Sequence, residues 1–157
     1  YNLEKELVYS VINAESRFNY NALSNKGAVG LMQIMPSTGE WLIEKINTSL
    51  DDSNKITTTN LEQALYTPDL NIRLGCYYLS YLLERFQSEE NALCAYNAGS
   101  TNVTEWLQNP EYSQDDILIE IPFGETKRYV EKIEYFKIGY KIKLKVLSLI
   151  DLIKSKI

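Results

Sequence analysis

Residues 68–86 read PDLNIRLGCYYLSYLLERF, a long and strongly apolar stretch that Pro68 opens. Proline suits the first turn of a helix, where its missing N–H has no helical partner in any case. Large apolar residues then recur through the stretch largely at helical spacing, namely Leu70, Ile72, Leu74, Leu79, Leu82, Leu83 and Phe86. The stretch therefore predicts a long helix buried at the centre of a domain.

Segments on both sides of this stretch predict further helices. An apolar stripe of helical period lies near the start of the chain, at Leu3, Leu7, Val8, Val11 and Ile12. Ser37 and Glu40 have the spacing of a capping box, which predicts that a second helix begins just after Pro36. We expect further helices over 92–96, over 102–107 and from about 125, with a polar surface loop at 47–60 and an extended crossing at 109–122.

The end of the chain fits two descriptions. Ile142, Leu144 and Val146 alternate with lysines as in a strand, but Ile142, Val146, Leu149 and Ile153 also have helical spacing. The rest of the sequence offers no partner strand, so the helix is favoured. The prediction is an all-α fold of six to eight helices, with one domain at 1–136. A basic helix at 137–157 either belongs to that domain or leads into a further segment.

The composition fits one soluble globular domain, because 45% of the 157 residues are hydrophobic and 24% are charged. A net charge of −5 argues against nucleic acid as a partner, since proteins that follow a phosphate backbone need a positive face. The chain contains no histidine, which excludes Ser-His-Asp and Cys-His catalysis and histidine-bound zinc. Any chemistry must use carboxylates, hydroxyls, lysine or tyrosine.

The two cysteines, Cys76 and Cys94, are too far apart for a CxxC motif. Their apolar neighbours predict two buried free thiols, with a disulfide between them as the less favoured alternative.

Charge is distributed unevenly along the chain. Residues 137–157 carry six lysines and one aspartate, a net charge of +5, so the remaining residues carry −10. A basic amphipathic end can contact an anionic wall polymer or a membrane. The alternative is a packing helix with a solvated lysine face.

Glu15 is a carboxylate on an apolar helix face. Three and four residues before it lie Ile12 and Val11, which belong to the stripe that faces the core. Burial disfavours the ionised form, so Glu15 is expected to have a raised pKa and to be able to act as a general acid. The alternative is that the stripe reaches solvent at the end of the helix and leaves Glu15 exposed.

Four short motifs occur in order along the chain: NAESRF at 13–18, GAVGLMQIMP at 27–36, AYNAG at 95–99 and ETKRYV at 125–130. Together they resemble the catalytic domain of soluble lytic transglycosylases, the bacterial peptidoglycan-cleaving relatives of goose-type lysozyme. The segment DLNIRLG at 69–75 resembles the helix between the second and third motifs of that family. The resemblance covers about residues 3–136 and implies a lysozyme-like fold.

The resemblance implies roles for individual residues. Glu15 matches the single catalytic acid of the family, and Tyr129 matches a tyrosine near that acid. Ser16, Met32, Gln33, Tyr96, Asn97, Glu125 and Tyr129 are expected to bind substrate. Met32 would offer an apolar wall to a sugar, and the others would offer hydroxyl, amide or carboxyl groups. Two of the matches have ordinary alternatives, because Ser16 is also suited to a helix end and Glu125 to the first turn of a helix.

The implied reaction cleaves the β-1,4 bond between N-acetylmuramic acid and N-acetylglucosamine with one glutamate and no metal or cofactor. The substrate's own 2-acetamido group would replace the second carboxylate of ordinary glycosidases, and the product would carry a 1,6-anhydro end. Two alternatives stay open, a goose-type lysozyme-like hydrolase and a wall-binding module without turnover. The expected partner is the peptidoglycan glycan strand, which places the protein outside the cytoplasm. Further domains of a longer parent chain are additional candidate partners.

Overall fold

The computed structural model describes residues 1–155 and is predominantly helical. The helices are α1 (Lys5–Ser16), α2 (Pro36–Asn47), α3 (Leu61–Ala64), α4 (Pro68–Phe86), α5 (Glu89–Ala98), α6 (Ser100–Leu107) and α7 (Gly124–Lys154). A 3-10 turn spans Asp52–Asn54, and β1 (Ser113–Gln114) pairs antiparallel with β2 (Ile117–Leu118). The predicted all-α fold class is confirmed. The small hairpin lies inside the segment where an extended crossing was predicted.

Helix α4 is the buried helix that the opening stretch predicted. Leu74, Leu79 and Leu82 have no exposed surface, and the helix packs against α5 and α2. Close packing requires a glycine at position 75, because a Cβ there would lie 2.7 Å from the Cβ of Met32. The central helix therefore determines where the Met32 side chain lies.

Helices α1 and α7 pack along each other, and α7 also contacts α5. Lys137 of α7 stabilises this packing through two ion pairs. Its Nζ lies 2.6 Å from Glu89 Oε2 and 3.3 Å from Glu4 Oε2. Lys137 thereby joins the start of α1 and the start of α5 to the middle of α7.

Helix α2 begins differently from the sequence-based prediction. The residue before its first turn is Met35, and no side chain caps the helix, so the predicted capping box of Ser37 and Glu40 is wrong. Pro36 occupies the first helical position, where its fixed φ angle favours helix initiation. Ser37 therefore lies inside the first turn, where its hydroxyl cannot serve as the N-terminal cap.

Helix α7 starts at Gly124 and continues without a break to Lys154, so residues 124–136 and 137–154 share one helix. The expected helical end is thus confirmed up to that point, and residues 156 and 157 of the predicted basic segment lie outside the described residues. The division at residue 136 stays a prediction.

Both cysteines are free thiols. Cys94 is buried as expected, and burial raises the pKa of its thiol to about 12. Cys76 is only half-buried, which corrects the prediction for that residue.

Candidate active site

The Glu15 carboxyl lies in the last turn of α1, next to the buried Val11 and Ile12. Burial raises the pKa of Glu15 from 4.5 to about 7, because an ionised carboxylate loses its hydration there. A hydrogen bond from Tyr129 and the positive charge of Lys132 oppose this shift without cancelling it. Near neutral pH, Glu15 can therefore both donate a proton and accept one.

Tyr129 of α7 is the hydrogen-bonding partner of this carboxyl. Its hydroxyl donates to Glu15 Oε1 at 2.7 Å, across 114 positions of sequence. Burial and the nearby Glu15 raise the pKa of Tyr129 well above its ordinary value, so the phenol stays protonated and remains a donor. One turn later, Lys132 Nζ donates to the Ala14 carbonyl at 3.0 Å, which holds its charge beside Glu15.

Tyr96 of α5 brings a second phenol to the same region. Burial raises the pKa of Tyr96 well above its ordinary value, with Glu15 as the next cause. Its hydroxyl donates to the Met32 carbonyl at 2.9 Å. Tyr96 thereby links the surroundings of Glu15 to the loop that carries the second motif.

This second-motif loop, residues 29–35, is fixed by the fully buried Asn71 of α4. The Asn71 side chain accepts from Met32 N at 2.7 Å and donates to the carbonyls of Val29 and Leu65, both at 2.8 Å. Gly30 lies against it with φ +77°, and a Cβ at that position would lie 2.6 Å from the Leu65 carbonyl oxygen. The loop conformation therefore depends on a glycine at position 30 and an amide at position 71.

Met32 and Gln33, neighbours in the second-motif loop, differ in the exposure of their side chains. The Met32 side chain has no exposed surface, so the expectation that it forms an apolar wall for a sugar is wrong in this structure. Its sulfur occupies the space that Gly75 leaves open. Gln33 is half-buried with φ +51°, and its Nε2 donates to the Gly30 carbonyl at 2.8 Å. Among the hydrogen bonds of residues 1–155, its Oε1 accepts none.

The remaining predicted residues lie in three different environments. Asn97 Oδ1 accepts from the buried Thr126 hydroxyl at 2.8 Å, which leaves the Asn97 amide hydrogens for other partners. Ser16 is buried, and its hydroxyl donates to the Ile12 carbonyl of its own helix at 3.2 Å. Glu125 is exposed in the first turn of α7, one turn before Tyr129.

A cavity of about 310 Å³ has an aromatic wall formed by Trp41, Tyr78 and Tyr81. The Tyr96 ring lies 5.2 Å from Tyr78, and Trp41 lies 6.2 Å from Tyr78 and 5.2 Å from Tyr81. Arg85 also lines this cavity. Aromatic faces of this kind can pack against the apolar faces of sugars.

Sequence reasoning assigned no role to several residues that shape this site. The sequence marks Asn71 only as part of the DLNIRLG segment. A polar residue inside an otherwise apolar helix is a signal that was present for Asn71. Thr126 lies within the ETKRYV motif, but spacing indicates no role for it or for Lys132, because their partners Asn97 and Ala14 are distant in sequence.

The all-α scaffold that carries this single buried carboxyl has the lysozyme-like fold. The particular family follows from sequence. Residues 1–119 match the family model described as "Transglycosylase SLT domain", so the chain belongs to the transglycosylase SLT domain family.

Several relatives support this assignment. A putative soluble lytic murein transglycosylase of Haemophilus influenzae is 31% identical over 144 residues, which cover 90% of this chain and 23% of that protein. The structure of an inactive mutant of lytic transglycosylase Slt from Pseudomonas aeruginosa matches with a TM-score of 0.75 and 35% identity, over 91% of this chain and 22% of that one. The 70 kDa soluble lytic transglycosylase of Escherichia coli matches with a TM-score of 0.76 and 28% identity, with the same coverage of 91% and 22%. The chain thus spans less than a quarter of the length of these proteins.

Proposed function

We propose that this domain is a lytic transglycosylase that cleaves the β-1,4 bond between N-acetylmuramic acid and N-acetylglucosamine in peptidoglycan. The observation that carries the proposal is the Glu15 carboxyl, whose pKa is raised to about 7 while Tyr129 hydrogen-bonds to it. Relatives named lytic murein transglycosylases support the substrate class. One of them is described as inactive when a glutamate is replaced by glutamine, which supports a glutamate as the essential group.

In the proposed reaction, Glu15 first gives its proton to the glycosidic oxygen. The bond to the muramoyl C1 breaks as the 2-acetamido oxygen of the same sugar attacks that carbon, and the N-acetylglucosamine end leaves as an alcohol. The muramoyl 6-hydroxyl then attacks C1, displaces the acetamido oxygen and returns its proton to the Glu15 carboxylate. Water is not consumed, and the product carries a 1,6-anhydro end.

A single carboxyl is sufficient in this scheme. The groups that act on the pKa of Glu15 are Tyr129 and Lys132, and no second carboxyl is among them. A paired carboxylate close by would raise the pKa further through like-charge repulsion. Acetamido assistance therefore fits these surroundings better than a mechanism with two carboxylates.

The predicted substrate-binding residues divide into those suited to contact the sugar and those that position the second-motif loop. Gln33 Oε1 and the amide hydrogens of Asn97 are suited to the acetamido groups. Tyr96 and Met32 act by positioning the second-motif loop. Ser16 and Glu125 are further proposed substrate contacts, and Glu125 has the exposure that a contact requires.

The test compares Glu15→Gln with Glu62→Gln on purified peptidoglycan sacculi. We expect Glu15→Gln to lower the rate of glycan release by at least about a thousandfold, since general acid catalysis contributes on that order. Glu62→Gln makes the same chemical change at an exposed position of α3 outside the site and is expected to leave the rate nearly unchanged.

Mass spectrometry of the soluble fragments distinguishes the mechanisms. Anhydro ends support the proposal, whereas reducing ends indicate a hydrolase. A wild-type domain that binds sacculi and releases no glycan would indicate a binding module.

The proposed substrate implies a location outside the cytoplasm. Relatives include membrane-bound lytic murein transglycosylases from Buchnera aphidicola and Pectobacterium atrosepticum, which fits such a location. The greater length of the relatives also fits the expectation that this domain belongs to a longer chain.

A further inference from the structure

We propose that residues 138–153 of α7 form an amphipathic helix that binds to the surface of an anionic lipid membrane. The segment lies after residues 1–119, which match the family model. The proposal does not depend on the catalytic activity of the domain.

The first observation is a continuous apolar stripe in water. Ile138, Ile142, Val146, Leu149 and Ile153 follow one another at intervals of three or four residues, so they share one face of the helix. Ile138 is 64% exposed and Ile142 is 61% exposed. An apolar face of this length, uncovered on a folded domain, marks an interaction surface.

From Ile142 onward the stripe faces away from the rest of the domain, whereas Ile138 also lines a cavity with Asn13 of α1. On the other side of α7, the Tyr140 ring lies 5.7 Å from Tyr9 and 6.3 Å from Phe18 of the domain. Leu144, one turn after Tyr140, lines a groove with the same two residues. At 100° per residue, positions 140 and 144 lie roughly opposite the stripe. The domain therefore anchors this face of the helix as far as Leu147 and presents the stripe outward, and residues 148–153 are exposed on all sides.

The second observation is the placement of charge around the stripe. On the helical wheel, Lys141 and Lys145 border one edge of the stripe, and Lys143 and Lys154 border the other. The acidic residue of this segment, Asp151, lies on the side away from the stripe. Lysines in these positions can extend to anionic headgroups while the apolar side chains enter the boundary between headgroups and acyl chains.

A lipid surface accounts for both observations better than other occupants. Two copies of this helix pairing through the stripe would bring lysines together along both edges, which is repulsive. An anionic wall polymer could neutralise the lysines but would leave the apolar stripe in water. An anionic membrane meets the lysines of both edges and covers the stripe at once.

Surface binding also fits the length and overall charge of the segment. Among residues 1–155, none of the helices combines the length and the apolar character needed to cross a bilayer. Residues 137–157 carry +5 while the preceding residues carry −10, so an anionic surface attracts this end and repels the rest. The C-terminal helix therefore attaches the domain to the membrane surface.

The test is co-sedimentation of the whole chain with phosphatidylcholine vesicles that contain or lack phosphatidylglycerol. We expect binding only to the anionic vesicles, weakened by added salt. Lys143→Gln with Lys145→Gln is expected to weaken binding at least about fivefold, and Ile142→Ser with Val146→Ser at least about tenfold. Circular dichroism and thermal unfolding check that each variant is folded.

Matched controls change the same chemistry elsewhere. Lys26→Gln with Lys45→Gln removes two exposed lysines from the body, and Ile117→Ser with Ile119→Ser removes two exposed isoleucines near the hairpin. Both control pairs are expected to bind as the unaltered chain does.

Four results would overturn the proposal. These are equal binding to neutral vesicles, absence of binding to anionic ones, equal losses in the control pairs, and binding to wall polymer that the lysine pair weakens but the stripe pair leaves unchanged. A concentration-dependent dimer that the stripe pair abolishes, without any vesicle binding, would identify a second copy as the occupant instead.

Discussion

The hydroxyl of Tyr129 donates a 2.7 Å hydrogen bond to Glu15 Oε1, joining the last turn of α1 to the first half of α7. This bond stabilises the ionised carboxylate, whereas burial stabilises the protonated acid, and burial has the larger effect. The balance between the two keeps the pKa of Glu15 at about 7, where the group can serve in both steps of the proposed reaction.

Replacing Tyr129 with phenylalanine removes the hydrogen bond that lowers the pKa of Glu15. We expect the pKa of Glu15 to rise in Tyr129→Phe, so that the alkaline limb of kcat/KM against pH moves to higher pH. Activity below the limb is expected to fall about tenfold, since a hydrogen bond to a charged group is lost. Tyr135→Phe, on the same helix but 75% exposed, is the control and should keep the original profile. An unmoved limb in Tyr129→Phe would contradict the role given to the bond.

Glu15 is also predicted to destabilise the fold at alkaline pH. Its pKa is about 7 in the folded chain and 4.5 as the reference value, so the unfolded chain loses this proton first as pH rises. The contribution of Glu15 to the unfolding free energy is thus constant below about pH 4.5 and falls as pH rises between the two pKa values. It is constant again, at the lower level, above about pH 7. We compare the unfolding free energy of Glu15→Gln with that of the unaltered chain. The difference in favour of the variant is expected to be about 3 kcal/mol larger at pH 8 than at pH 4. Chemical denaturation across pH measures this difference, and a constant difference would refute it.

Asn71 is predicted to matter for both stability and activity. Asn71→Ala removes two hydrogen bonds to the second-motif loop and one to the Leu65 carbonyl, and it leaves the Met32 N–H without its partner. We expect a loss of about 3 kcal/mol in unfolding free energy. Asn91→Ala is the matched control, because Asn91 is equally buried and bonds to residues 116 and 118 near the hairpin. At a temperature where both variants are folded, only Asn71→Ala should lose lytic activity, and equal activity in the two would contradict the positioning role.

Gly30 and Gly27 offer a second matched pair. Both have positive φ angles, +77° and +88°, but a Cβ at Gly30 would collide with Asn71 and the Leu65 carbonyl, whereas a Cβ at Gly27 would meet nothing within 4 Å. We expect Gly27→Ala to cost about 1 kcal/mol of unfolding free energy from backbone strain alone. Gly30→Ala should cost at least about 2 kcal/mol more. Similar losses in thermal or denaturant unfolding would show that the close approach at Gly30 is unimportant.

Local patterns in the sequence were sufficient for the main helices and for the raised pKa of Glu15. The spacing of Val11, Ile12 and Glu15 places a carboxyl on the core side of α1, and desolvation follows from that position. The identity of its partners does not follow, because the Tyr129 and Lys132 contacts close over more than a hundred residues. Only the packing of α1 against α7 brings them together.

Met32 and Ser37 show where local patterns fail. An apolar residue in a motif can face either substrate or core, and the choice at Met32 depends on the space beside Gly75 on a different helix. The Ser37 and Glu40 spacing fits a capping box, but Pro36 takes the first helical position, so the residue that precedes the helix is Met35 and not Ser37. Both outcomes depend on interactions that spacing does not contain.

The most direct test is a titration of the Glu15 carboxyl itself. Carbon-13 NMR of a chain labelled at the glutamate side-chain carboxyl carbon, with the resonance assigned by its absence in Glu15→Gln, follows the ionisation of this one group. We predict a midpoint near pH 7, because Glu15 is buried on the core-facing side of α1. A midpoint near the ordinary value of 4.5 would contradict the account, because Glu15 would then hold no proton to donate at neutral pH.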